Sequence, residues 1–321
     1  MGLKIKQTAH YVPAKVVTND DLTQLMDTSD DWIVSRTGIK QRHIATTEQT
    51  SDLAAKVAKL LLTKANCSAD QLDFIIVATM SPDYQTPATA AIVQGKIGAE
   101  NAFAFDINAA CSGFIYAMSV ADKLLTHYRR GLVIGAEVLS KLVDWQERST
   151  AVLFGDGAGG VLVENDSDNF LVAEDLATFG DSGSQLTAGY QAVNSAFTQD
   201  KTAIHQKYFE MDGRGVYHFA THEVPTSIVR VLTKANWQPD EVKWYLLHQA
   251  NGRILTSIAR HLHQDEQKFL QNVACFGNTS AASIPILLDE AVSDKRIKRG
   301  QKLILSGFGG GLTVGSIAII Y

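Results

Sequence analysis

Short apolar runs alternate along this chain with stretches of helical spacing. "FIIVATM" (Phe74–Met80) precedes "TAAIVQGKIG", "AFAFDIN" (Ala102–Asn108) precedes "SGFIYAMSVADKLL", and "GLVIGAEV" follows. Runs of this length read as strands covered on both faces, so the alternation predicts an α/β protein. The second half repeats the order. "KWYLLHQ" precedes "RILTSIARHL", "FLQNVACFGN" precedes "SAASIPILLDEAV", and "QKLILSGFGGG" follows. Trp244 lies 170 positions after Phe74, Asn278 lies 167 after Cys111, and Leu303 lies 171 after Leu132. A common offset near 170 predicts a duplicated unit with halves 1–170 and 171–321. The polar stretch from Glu164 to about Arg214 reads as turns and loops.

Composition narrows the class. The chain has 321 residues, 45% hydrophobic and 20% charged, the profile of a soluble globular protein of one or two domains. A net charge of −5 gives no global basic character for nucleic acid. Three cysteines without pairing spacing (Cys67, Cys111 and Cys275) argue against a disulfide framework and for a reducing compartment. The opening residues carry no apolar signal core, and the longest charge-free stretch is too polar to span a bilayer. The expectation is a cytoplasmic protein with no membrane or nucleic-acid partner. No H-E-x-x-H or C-x-x-C occurs, and "HLH" at 261–263 reads as a solvated helix face, so no metal ligand is expected.

The candidate chemistry lies at the ends of the apolar runs, where open α/β sheets place ligands. Cys111 follows one run and precedes a helical pattern carried by Phe114, Met118, Ala121 and Leu125. At a helix N-terminus a thiolate would be favoured; elsewhere a free cysteine is a small buried hydrophobe. Both readings stand for Cys111, whereas Cys67 and Cys275 read as structural. His248 ends the run "WYLLHQ" and is either a donor or base, or a satisfied core histidine. Asn278 in "FGNTSAAS" is either a fixed donor to an oxyanion or a helix cap. "FGDGAGG" matches G-x-G-x-x-G, but an apolar strand follows it, so it reads as a tight turn and not as a dinucleotide loop. "TSDDWIVSRTGIKQRH" sets Trp32 beside Arg36, Lys40 and Arg42, which suits a nucleotide with phosphates or a buried Trp with surface charges.

Taken together, "SDDWIVSRTGI", "NAACSGF", "FGDGAG", "LLHQAN", "GNTSAAS" and "GFGGGLTVGS" resemble the β-ketoacyl-acyl-carrier-protein synthase III family, in that family's order and over essentially the whole chain. The resemblance implies an α/β thiolase-like fold, with duplicated halves layered αβαβα. It implies that Cys111 accepts the acyl group and that His248 and Asn278 complete a Cys-His-Asn triad. Trp32, Arg36 and Arg148, with Thr28, match residues that hold coenzyme A. Gly310 matches a backbone oxyanion donor. Asn251 and Arg253 match the entrance, where Arg253 would meet the carrier protein. The implied reaction is a decarboxylative condensation of a short acyl-CoA with malonyl-acyl-carrier protein, without metal or cofactor, in a homodimer. Two positions depart from the pattern: His218 stands where the family often has a lysine, with Arg214 nearby, and Thr86 stands where some members have a phenylalanine in the primer pocket. A Cys-His-Asn set also serves hydrolases, which would turn over acyl-CoA without a malonyl substrate.

Overall fold

Most of the apolar runs become the parallel strands of two sheets. The structure is a computed structural model that describes residues 2–168, 170–198 and 206–321; positions 199–205 of the expected loop stretch lie outside the described residues, as does 169. The main elements are β1 (Gly2–Tyr11), α1 (Asp30–Thr37), α2 (Thr50–Ala65), β2 (Phe74–Ala78), α3 (Thr89–Ile97), β3 (Phe103–Ile107), α4 (Gly113–Leu124), β4 (Arg130–Glu137), β5 (Gly157–Asp166), β6 (Leu171–Thr178), α5 (Gly213–Ala235), β7 (Trp244–Leu247), α6 (Gly252–His261), α7 (Ser283–Ser293), β8 (Lys302–Gly309) and β9 (Thr313–Ile320). One sheet has the order β1-β5-β4-β2-β3, and the other has β6-β9-β8-β7.

The two sheets are built alike. Phe74 pairs with Gly131 and Trp244 with Leu303, both in parallel, so the offset is 170 on one strand and 172 on the next. β5 runs antiparallel between β1 and β4, as β9 does between β6 and β8. Helices α2 and α3 cover the outer face of the first sheet, and α5 and α6 cover that of the second. Helices α4 and α7 lie between the sheets. That is the five-layer αβαβα arrangement of the thiolase-like fold. Because α4 has a sheet on each side, Ile115 and Ala117 are buried along with the expected Phe114, Met118, Ala121 and Leu125.

One expected strand is nearly absent. In "FLQNVACFGN" pairing is reduced to two isolated bridges, Phe269 to Tyr245 and Asn278 to Phe154, and Val273–Phe276 forms a four-residue helix. The Gln249 side chain explains the loss. Its amide nitrogen donates to the carbonyls of Leu247 (2.8 Å) and Leu270 (3.3 Å), and its oxygen accepts from Asn272 N–H (3.0 Å). Backbone groups that a ladder would have paired are satisfied by one side chain.

The glycines of "FGDGAGG" lie mostly inside β5 rather than in a turn. Helix α7 crosses there, and a Cβ on Gly159 would stand 2.6 Å from the backbone nitrogen of Ile286. Asp156 is buried and accepts from Ala45 N–H and from Ser140 through both its N–H and its hydroxyl. The motif therefore serves packing. Cys67 is half-buried against Arg130, but Cys275 is exposed, contrary to a structural role for both. His261 and His263 face solvent, as expected. Among the described residues no helix is long and apolar enough to cross a membrane, and no group of three or more His, Cys, Asp or Glu is placed to hold a metal.

Candidate active site

Two tight turns, one from each half, meet between the sheets. Asn108 Oδ1 accepts from Ala110 N–H (3.2 Å), and Ser112 N–H then donates to Ala109 O (3.1 Å). Asn278 Oδ1 accepts from Ser280 N–H (2.9 Å), and Ala282 N–H donates to Thr279 O (3.0 Å). Ala110 and Ser280 both take positive φ, 45° and 47°. The structural counterpart of Asn278 is thus Asn108, at an offset of 170, and that of Cys111 is Ala281. The offset of 167 between Cys111 and Asn278 joins two reactive residues that sit three positions apart in equivalent turns.

Each turn leans on the opposite half through a glycine. A Cβ on Gly135 in β4 would stand 2.2 Å from Ala281 O, and one on Gly307 in β8 would stand 2.8 Å from Ser112 Cα. Cys111 is held more closely still: a Cβ on Gly309 would lie 2.8 Å from its Cβ and 3.0 Å from its Sγ. Only glycine lets the second half close over the thiol.

Cys111, His248 and Asn278 all line one cavity of about 1160 Å³. His248 follows β7, and its N–H donates to Ser306 O at 2.8 Å. Its Nδ1 lies 2.7 Å from Ser283 Oγ, and the ring meets Phe308 edge-on at 5.1 Å. Burial lowers the His248 imidazole to about 3, so it is neutral at physiological pH. Asn278 uses its oxygen in the turn, which leaves its amide nitrogen as a donor. Burial pushes the Cys111 thiol up to about 12; the Ser280 hydroxyl works against this and the Glu137 charge adds to it. Of the two readings open for Cys111, this burial favours a resting thiol over a helix-stabilised thiolate. Cys111 sits in the short turn Ala110–Ser112, ahead of α4, and desolvation decides its state.

Trp32, Arg36, Asn251 and Gly310 line the same cavity, whereas Thr28, Arg148 and Arg253 do not. Arg148 is nevertheless close by. Its guanidinium lies 4.4 Å from the Trp32 ring centre and that of Arg36 lies at 4.5 Å, while Arg148 also donates to Asp27 O at 2.9 Å. Thr28 Oγ1 is buried without a partner. Asn251 caps α6 and donates to Arg36 O at 3.1 Å, and exposed Arg253 donates to Ser35 O at 2.5 Å. Arg42 does not join this group. It is fully buried and donates to Asn19, Val17 and Val152, which removes it from any phosphate. His218 is exposed on α5, stacked on His222 at 4.1 Å. Thr86 is exposed and takes no part in the cavity lining. The apolar walls come instead from Met80, Ile107 and the stacked pair Phe154 and Phe209, whose rings are 4.2 Å apart.

Sequence reasoning missed Ser280, Ser283 and Glu137. The first two lie inside a quoted motif, masked by its asparagine. Glu137 ends the strand run "GLVIGAEV", and an acid closing an otherwise apolar run was the available signal.

Comparison with known proteins fits this geometry. Residues 105–180 match the model for 3-oxoacyl-[acyl-carrier-protein (ACP)] synthase III, and residues 232–321 match that for its C-terminal region. The chain is 54% identical over 321 residues to beta-ketoacyl-[acyl-carrier-protein] synthase III of Lactococcus lactis, with 98% of each chain covered. It is 53% identical over 320 residues to the enzyme of that name from Streptococcus equi subsp. equi, again with 98% of each covered. The crystal structure of 3-oxoacyl-[acyl-carrier-protein] synthase III from Aquifex aeolicus superposes with a TM-score of 0.93 at 42% identity, covering 100% of both chains. This chain belongs to the β-ketoacyl-acyl-carrier-protein synthase III family.

Proposed function

We infer that the cavity starts fatty acid synthesis by joining a short acyl-CoA to malonyl-acyl-carrier protein, and that three side chains from two halves divide the work. The observation that carries this reading is that Cys111 from the first half shares one cavity with His248 and Asn278 from the second. Cys111 sulfur attacks the thioester, with the backbone N–H groups of Cys111 and Gly310 receiving the oxyanion; each such donor is worth ~3 kcal/mol. Coenzyme A leaves and an acyl-enzyme remains. The malonyl group then enters, loses carbon dioxide, and places enolate charge on its thioester oxygen.

His248 and Asn278 donate to that oxygen. The tautomer this requires is supported by the chain from Gln249 N–H to Ser283 Oγ (3.4 Å) and on to His248 Nδ1. Ser283 Oγ accepts the backbone hydrogen bond and has its own hydroxyl hydrogen to donate to Nδ1, so Nε2–H remains for the substrate. An amide at 278 also suits the step, since a carboxylate there would repel the enolate. The carbanion then attacks the acyl group on Cys111, giving 3-oxoacyl-carrier protein.

Trp32 offers a face on which a purine can stack beside Arg36 and Arg148, with Thr28 as a spare hydroxyl. Arg253, with Arg214, offers positive charge to the acidic carrier at the mouth, and Asn251 joins α6 to the end of α1. The reading needs no cofactor, because acyl-CoA is a substrate. Three unpaired cysteines suit a cytoplasmic setting. A homodimer through β3 is supported by its position at the end of its sheet, with Phe103 exposed and stacked on Phe105. The two halves are proposed to divide at residues 170 and 171, where β6 begins.

Intact mass spectrometry after exposure to a panel of acyl-CoAs tests the assignment. One acyl adduct is expected, on Cys111, discharged only when malonyl-carrier protein is added. An adduct elsewhere, or discharge to free acid without malonyl substrate, overturns it in favour of other chemistry, hydrolysis in the second case.

A further inference from the structure

Beneath the thiol lies a buried carboxyl that the condensation above does not use. Glu137 ends β4 with no exposure to solvent. Its oxygens accept from Thr79 Oγ1 (3.1 Å), Met80 N–H (3.2 Å), Ser81 N–H (3.1 Å) and Ser81 Oγ (2.5 Å). These donors all come from the loop after β2. Among the described residues no cation is bonded to it: Lys141, which feels its charge, donates instead to the carbonyls of Ser81 and Pro82. Four donors without a counter-ion let a buried carboxylate exist, yet leave it able to take up a proton.

The turn carrying Ser280 packs against both β4 and the turn carrying Cys111. Ser280 lines the cavity, and its hydroxyl is buried with no completed hydrogen bond. It faces the Cys111 thiol on one side and the Glu137 carboxyl on the other. A buried hydroxyl left free is an uncommon and costly state, and no standing bond fixes its rotation.

We propose that Ser280 and Glu137 form a relay that takes the proton from Cys111 as the primer is loaded, Ser280 touching the sulfur and Glu137 acting through it. This rests on the reading of Cys111 as the acyl carrier. The S–H proton moves to Ser280 Oγ while the Ser280 hydroxyl proton moves to the Glu137 carboxylate. The sulfur forms its bond to the acyl carbon, and the bond from that carbon to the coenzyme A sulfur breaks. Coenzyme A departs as thiolate and is protonated by solvent. At condensation the Cys111 sulfur is expelled and recovers its proton from Glu137 by the reverse path.

His248 serves this step poorly, being lowered to about 3, whereas burial raises Glu137 to about 7. The carboxylate is the stronger base of the two. Its neutralisation also removes a charge that disfavours the thiolate, at the moment the thiolate is needed. The groups that share its field are Cys111 and Lys141, the latter flanked by Asp83 and Asp156.

The test is the rate of acyl transfer from acetyl-CoA to Cys111, followed by rapid-quench mass spectrometry from pH 5.5 to 9, in the wild-type chain, Glu137→Gln and Ser280→Ala. The wild-type rate should rise through an apparent pKa near 7, as Glu137 becomes able to accept. Both variants should lose that inflection and acylate on the order of a hundredfold more slowly at neutral pH. A carboxylate that merely opposes the thiolate by its charge predicts the reverse sign: Glu137→Gln would then acylate faster. Faster or unchanged acylation in Glu137→Gln overturns the relay, as does a retained inflection in Ser280→Ala. Ser280→Ala removes no completed bond, which keeps the test sound if Glu137→Gln folds poorly. Rates are referred to thiol that alkylates stoichiometrically, so lost folding is separated from lost relay. Absence of any wild-type adduct on Cys111 would instead refute the acyl-carrier reading.

Discussion

The turns Asn108–Gly113 and Asn278–Ser283 have nearly the same backbone and different chemistry. Each starts with an asparagine closing on the N–H two residues later, passes through a positive φ, and leads into a helix between the sheets. In the first turn the fourth residue is Cys111; in the second it is Ala281. Behind the second turn stand His248 and Ser283, and behind the first stand Ala78 and Gly113 in their places. Glu137 closes β4 where Gly309 closes β8. The duplicated scaffold supplies two equivalent positions facing one another, and in the proposed mechanism a few substitutions let one side accept an acyl group and the other stabilise an enolate. Function here belongs to side chains placed on a shared backbone, not to the fold as such.

The largest effect should come from exchanging the two turns' chemistry. Cys111→Ala combined with Ala281→Cys keeps one thiol in an equivalent backbone turn. The expected result is no acyl adduct by mass spectrometry and a loss of condensation on the order of 10³-fold or more, because the moved thiol has Ala78 where it would need His248. An adduct on residue 281 with retained condensation would show that the halves are chemically interchangeable.

The two asparagines sharpen the contrast. Asn108→Ala and Asn278→Ala each remove one turn hydrogen bond, and each should lower stability by about 1 kcal/mol, measurable by urea unfolding. Only Asn278→Ala should also slow malonyl decarboxylation, on the order of a hundredfold, while sparing acylation. Asn108 is exposed and Asn278 buried, which fits a scaffold role for the first and an added chemical role for the second. Equal kinetic losses in both variants would make the enolate assignment of Asn278 untenable.

The sequence revealed the repeat because parallel strands buried on both faces leave uninterrupted apolar runs, such as Phe74–Ala78. It did not reveal that the run at Phe269 would be unzipped by one glutamine side chain, through contacts made across 21 and 23 residues of chain. Cys111, His248 and Asn278 were visible because each stands at or just after the end of an apolar run, Cys111 and Asn278 among small residues. Ser280 and Glu137 were not, since a hydroxyl inside a motif and an acid at a strand end gain meaning only when two halves close on each other. Arg42 was misread for the same reason: its charge suggested solvent, and only the packed structure shows three acceptors around it.

The smallest effect concerns stability, and it sets one buried group of each half against the other. Burial lowers His248 from 6.5 to about 3 and raises Glu137 from 4.5 to about 7. Between pH 6.5 and 3 the unfolded chain binds a proton at His248 that the folded chain refuses, so this group lowers stability as pH falls. Between pH 7 and 4.5 the folded chain binds a proton at Glu137 that the unfolded chain does not, so this group raises stability as pH falls. From pH 6.5 to 4.5 the two slopes oppose each other. Thermal melting of His248→Gln, relative to the wild-type chain at each pH, should therefore show a Tm difference that moves in its favour as pH drops through 6.5. The same comparison for Glu137→Gln should move against the variant as pH drops through 7. Differences that move in the same direction would mean that the two halves do not hold oppositely perturbed groups at their shared face.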